Sequence, residues 1–152
     1  GDDYFARGLL FGIWSRAGWC AGTEKQSRLW RFFDRFGIRR ARMIGFWEQP
    51  HPVTVNRPAT VVTAFRHPRH GVFLALATWH QPLAEWMRET LDVSLDFDRR
   101  ALGLPAGPLT AIDVLSGETL DPVRPIPLPR PREGRLLWVR GKRGSTRKVP
   151  RR

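Results

Sequence analysis

Hydrophobic and polar positions alternate most informatively between Ala59 and His80, ATVVTAFRHPRHGVFLALATWH. Two apolar runs, Thr60–Arg66 and Val72–Thr78, flank a His-Pro-Arg-His-Gly turn. β-Branched and aromatic residues bounded by proline and glycine predict a β-hairpin. The second run is apolar on both faces: Val72, Leu74 and Leu76 on one, Phe73, Ala75, Ala77 and Trp79 on the other. A strand of that kind lies inside a sheet covered on both sides. One face is expected on a core. The other is expected against a bulkier neighbour, most of which lies outside this chain.

The same pattern places the other elements. Leu29, Phe32, Phe33 and Phe36 follow helical spacing within Thr23–Phe36, and Trp30 widens the stripe. Thr23 and Gln26 form a capping-box pair, and Gly37 stands where a helix terminates in a left-handed residue. A strand is predicted over Arg40–Trp47, followed by a proline-interrupted loop at Gln49–Pro58. Glu89–Asp98 reads as one half-buried strand, with Leu91, Val93, Leu95 and Phe97 inward and Asp92, Ser94, Asp96 and Asp98 outward. Leu102 and Leu104, in a turn region, plug the end of a core. Leu109–Leu115 is a further strand, and Thr119–Leu120 begins its hairpin return. Pro125, Pro127 and Pro129 restrict the next piece to an edge. Arg135–Arg140, RLLWVR, closes the series. Short strands at regular spacing, with no helix after Gly37, make the fold mainly β, an antiparallel β-sandwich. An α-helical, aromatic segment precedes it and looks like the end of something else.

That first segment, Asp2–Gly22, holds Tyr4, Phe5, Phe11, Trp14 and Trp19 between four glycines. Through Ala6–Trp14 it suits a short helix or strand. Tryptophans beside Arg16 suit a sugar platform: flat rings stack on a pyranose while the guanidinium bonds its hydroxyls. Packing between domains produces the same composition and is the commoner cause. Trp14, Arg16 and Trp19 are the candidate substrate-binding residues.

Composition narrows the classes. A chain of 152 residues, 41% hydrophobic, has room for one ordinary domain, or a small domain and a piece of another. It opens Gly-Asp-Asp rather than with Met, which suggests a fragment or a processed product. Cys20 is alone and forms no internal disulfide, which leaves the compartment open. No apolar run is long enough to span a bilayer as a helix. The net charge is +12, and Arg140–Arg152 carries seven cations without one acid. Such a tail is expected to be disordered. Phosphate binding would use this charge, but no nucleic-acid motif accompanies it, and a solvated basic surface is the preferred reading.

Catalytic constellations are weak. His67 and His70 share a turn with Arg66 and Arg69, which repel a cation, and His51 and His80 lie elsewhere; no metal or other cofactor is expected. Asp92, Asp96 and Asp98 alternate on a wet face. Ser15, Ser27 and Ser116 lie in no nucleophile elbow, and Cys20 has no base partner. Asp2, Asp3 and Glu48 lack the spacing of a glycosidase acid pair. No catalytic residue is assigned.

The order of features nevertheless has a likeness. A WRFFDRFGI helix precedes RRARMIGFW, then TVVTAFRHPRHGVFLALATW, VSLDFDRRALGL, AIDVLSGETL and a closing RLLWVR. From about Tyr4 to Arg140 this resembles the C-terminal region of bacterial glycoside-hydrolase-like proteins related to glycoside hydrolase family 123. Members of that group resemble one another in having a (β/α) barrel followed by a β-sandwich. The resemblance implies that residues 1–38 are the end of a catalytic barrel with its last helix, 39–141 the sandwich and 142–152 a basic tail. It implies a fragment of a carbohydrate-cleaving enzyme, inactive alone, with the catalytic acids on an earlier barrel strand. Its partners would be the barrel, within the same polypeptide, and carbohydrate bound through it. A sandwich that binds carbohydrate or protein through exposed aromatics is the alternative, and a basic nucleic-acid-associated protein a further one.

Overall fold

The computed structural model describes residues 3–13, 23–57, 59–78, 91–128 and 134–142. Helices α1 (Asp3–Leu10) and α2 (Thr23–Phe36) come first. The strands follow: β1 (Arg42–Ile44), β2 (Val53–Val55), β3 (Thr60–His67), β4 (Gly71–Thr78), β5 (Leu91–Val93) and β6 (Leu95–Phe97). A one-turn helix α3 (Arg99–Leu102) precedes β7 (Leu109–Asp113), β8 (Thr119–Leu120), β9 (Ile126–Leu128) and β10 (Arg135–Gly141). Six strands form one antiparallel sheet in the order β1-β3-β4-β10-β7-β8. The antiparallel ribbons β2-β6 and β5-β9 form the opposing layer of a β-sandwich.

The hairpin sits at the centre of the sheet, as its pattern predicts. Its register pairs Thr60 with Thr78 through His67 with Gly71. One face sends Val62, Ala64, Val72, Leu74 and Leu76 into the core against the ribbons, where Val53, Val93, Leu95, Ile126 and Leu128 meet them. Leu102 and Leu104 close that core at one end. The other face carries Phe65, Phe73, Ala75, Ala77, Leu136 and Trp138 under Phe5, Leu9 and Leu10 of α1 and Leu29, Phe32, Phe33 and Phe36 of α2. The doubly apolar strand is therefore covered by helices of this same chain rather than by an outside neighbour. The described residues form three layers: two helices, a six-stranded sheet and a pair of ribbons. Each buried large apolar side chain contributes about 1.5–3 kcal/mol to this arrangement.

Several predicted boundaries move. The first segment, which suits a short helix or strand through Ala6–Trp14, is a helix, and it runs from Asp3 to Leu10. The strand expected over Arg40–Trp47 shrinks to Arg42–Ile44. Gly37 ends α2 in the left-handed conformation and a 3₁₀ turn takes Ile38–Arg40, while Gly45 and Glu48 close a turn on the other side. The single strand expected over Glu89–Asp98 is two. β5 pairs with β9 and β6 with β2, and the chain changes partners at Ser94, whose N–H donates to Asn56 Oδ1 at 2.9 Å. The expectation of no helix beyond Gly37 fails at α3. There Asp98 Oδ1 accepts the N–H of Ala101 at 3.0 Å, and Gly103 ends the turn in the left-handed region. An Asp-x-x-x-x-Gly spacing is enough to nucleate one turn. Among the described residues the proline-rich piece pairs on one side only, as β9 with β5. The side chain of Thr23, the segment 14–22 and the tail from 143 lie outside the described residues.

Candidate functional site

Trp14, Arg16 and Trp19 lie outside the described residues, as do Cys20, Ser15 and His80. The chain leading to them ends in an aromatic corner. Phe11, after the last turn of α1, meets Phe46 edge-on at 5.5 Å and lies near-parallel to Trp47 at 6.3 Å. Phe46 and Trp47 meet edge-on at 5.1 Å. Phe11 is 45% exposed, Trp47 55% and Ile13 63%. The Gly45–Glu48 turn sets this geometry. Glu48 Oε1 accepts the N–H of Gly45 at 2.9 Å, and the indole of Trp47 folds so close over Gly45 that a Cβ there would lie 2.4 Å from it. Alternation through Arg40–Trp47 predicts a strand that includes Trp47, whereas the Gly45–Glu48 turn takes it out of the sheet.

The other candidate groups have structural work. His51 Nδ1 lies 3.1 Å from the Val53 N–H, and its Nε2 is 3.3 Å from the Ile44 carbonyl, tying β1 to β2. Asp98 caps α3, Ser116 Oγ accepts the N–H of Glu118, and Glu48 holds its own turn. Among the described residues no group of three His, Cys, Asp or Glu could hold a metal ion.

The turn between β3 and β4 opens a second feature. His67 Nδ1 accepts the N–H groups of Arg69 and His70, both at 3.0 Å, which puts the ring proton of a neutral His67 on Nε2. His70 stacks on His67 at 4.2 Å and donates from Nδ1 to the Phe36 carbonyl at 2.8 Å, anchoring the turn to the end of α2. Trp138 Nε1–H donates to the His70 carbonyl. Burial, then the charges of His70, Arg40 and Arg69, hold His67 below the ordinary imidazole range. The sign follows from linkage. Below pH about 6.5 the unfolded chain takes up a proton that the folded His67 refuses, so stability falls as pH drops from there toward the depressed folded value. Urea midpoints at pH 7.5 and 5.5 are expected to show that loss. His67→Asn, whose Oδ1 accepts the same two N–H groups, is expected to shrink the difference; an unchanged pH slope would show that another group carries it.

Around that turn lies a strongly basic cleft. One part, about 450 Å³, is lined by Arg35, Arg69, His70, Trp138 and Arg140 with the segment Gly103–Pro105. An adjoining part, about 430 Å³, adds Arg39, Arg40 and Asp34.

A family model for the glycoside hydrolase 123 C-terminal domain matches residues 25–139. The chain belongs to that family. The match takes in most of α2 and the whole run of strands up to Val139. No curated protein and no solved structure matches the chain. Family 123 C-terminal domains are glycoside-hydrolase-associated, and this chain is such a domain. No helix described here is long and apolar enough to cross a membrane.

Proposed function

We propose that this domain is the non-catalytic C-terminal sandwich of a family 123-type glycoside hydrolase and supports a catalytic barrel in the same polypeptide. The observation that carries the reading is the exposed corner of Phe11, Ile13 and Trp47, set beside a family match to a C-terminal domain. Exposed clustered aromatics rimmed by polar residues are characteristic of a contact surface. Here the pair Arg42 and Glu48, 3.9 Å apart, borders the corner. In this reading residues 1–38 are the junction with the barrel. Trp14, Arg16 and Trp19, next in the sequence after the corner, are the proposed sugar-binding residues of that reading.

The test uses the polypeptide that carries both parts. Phe11→Ser and Trp47→Ser together are expected to split one cooperative thermal unfolding transition into two, and to speed proteolysis near residues 14–22. The 152-residue chain alone is expected to hydrolyse no member of an aryl glycoside panel. Hydrolysis by the chain alone would overturn the non-catalytic reading. A single transition retained by the double variant would overturn the docking surface. Capture of neutral oligosaccharide by the chain alone, lost on Trp47→Ser, would make the corner a binding platform instead.

A further inference from the structure

The cleft at the hairpin turn gathers five arginines from four places in the chain. Arg35 comes from α2, Arg39 and Arg40 from the 3₁₀ turn, Arg69 from the β3–β4 turn and Arg140 from β10. The lining holds one acid, Asp34. Among the described residues no carboxylate pairs with Arg35, Arg39, Arg40 or Arg69. Packing like charges together costs stability, and a folded domain has no need to do so for its core. The guanidiniums of Arg35 and Arg140 lie over the Trp138 ring at 5.1 and 4.1 Å, which restrains them before any ligand arrives. A planar guanidinium so restrained suits two-pronged binding of an oxyanion. Burial first, and then the charges of His70, Arg40 and Arg69, lower the proton affinity of His67 beside the cleft.

We propose that this cleft binds the anionic group, sulfate or carboxylate, of an acidic oligosaccharide. The choice of sugar rests on the glycoside hydrolase reading above; the choice of anion rests on the arginines alone. Nucleic acid fits less well. Trp138 is 7% exposed and already has guanidiniums over its ring, so it offers no free face on which a base could stack. A cleft of this volume suits one or two sugar units rather than a duplex groove.

Calorimetric titration of the 152-residue chain tests it, with a heparin tetrasaccharide, a tetragalacturonate, a neutral chitotetraose and a single-stranded DNA oligonucleotide of matched charge. Binding to one or both acidic tetrasaccharides, and not to chitotetraose, is expected; which one binds separates sulfate from carboxylate. Arg35→Gln and Arg69→Gln, both at exposed positions, are each expected to weaken it about tenfold without lowering the melting temperature, since each relieves like-charge repulsion. Arg143→Gln, Arg147→Gln, Lys148→Gln, Arg151→Gln and Arg152→Gln combined are expected to leave it in place. No binding to either acidic sugar, DNA binding as tight as the best sugar, or loss only with the tail changes would each overturn the proposal. Trp47→Ser separates this test from the previous one. It leaves acidic sugar binding unchanged when the cleft is the site, whatever becomes of the docking surface.

Discussion

Phe73→Ala is expected to remove about 4 kcal/mol of stability, in the middle of the range for truncating a buried aromatic. Phe73 has no exposed surface. Its ring centroid lies 5.0 Å from that of Phe32, 5.8 Å from Phe33 and 5.6 Å from Phe65, with Phe36 at 6.2 Å. Alanine would leave a cavity between a central strand and α2. The strand is held in register by β3 and β10 and cannot move to fill it. A domain of this size has about 5–15 kcal/mol in all, so the variant would lose between about a quarter and four fifths of its stability. Urea denaturation read by tryptophan fluorescence and by far-ultraviolet circular dichroism checks it. A loss under about 1 kcal/mol would mean that α2 does not bury this face, and the three-layer description would be wrong.

That test bears directly on what the residues revealed. The double greasiness of Val72–Thr78 identified a central strand correctly, because period-two alternation is broken only where both sides are dry. The same argument could not say what covers the second side. Phe32, Phe33 and Phe36 were legible as a helix's apolar stripe, and the spacing of Phe65 and Phe73 as a sheet face, yet nothing in either run says that they meet. Such pairing is non-local. Here it brings Phe32 onto Phe73, 41 positions further along the chain. The outside neighbour was inferred where two helices of the chain suffice. The closing run RLLWVR, apolar on both faces like β4, carried the same signal for an inner position, and it lies between β4 and β7.

The candidate surfaces were less legible for a related reason. His67 and His70 were visible as a turn pair, but the cleft needs Arg35, Arg69 and Arg140, spread over more than a hundred positions. In an arginine-rich chain no one of them stands out. The aromatic corner was hidden differently: alternation through Arg40–Trp47 favours a strand, whereas Glu48 turns the chain back by bonding the Gly45 amide. Local side-chain-to-backbone bonds of this kind compete with ladders and leave no periodic trace.

The second large effect is expected at Arg135, where the sandwich layers are joined by charge rather than by grease. Its Nη1 donates to Asp113 Oδ2 at 3.1 Å and to Glu118 Oε2 at 2.9 Å, and its Nε to the Pro127 carbonyl at 3.1 Å. One side chain thereby links β10, the β7–β8 hairpin and β9. The Arg135 and Asp113 side chains are each 11% exposed. Asp113 also holds the hairpin turn, its Oδ1 accepting the N–H groups of Leu115 and Ser116. Arg135→Met keeps the aliphatic bulk and removes the charge, leaving the Asp113 carboxylate buried with one oxygen unmatched. Breaking one side of a buried pair costs about 3 kcal/mol. Adding Asp113→Asn is expected to restore most of it, since the amide oxygen accepts the two turn N–H groups and no charge is left to desolvate. A double-mutant cycle from urea midpoints would then show a coupling above 1 kcal/mol. Additive losses would instead mean that Arg135 acts through the Pro127 carbonyl and Glu118 rather than through Asp113, and that the Pro127 contact fastens the β5–β9 ribbon to the sheet.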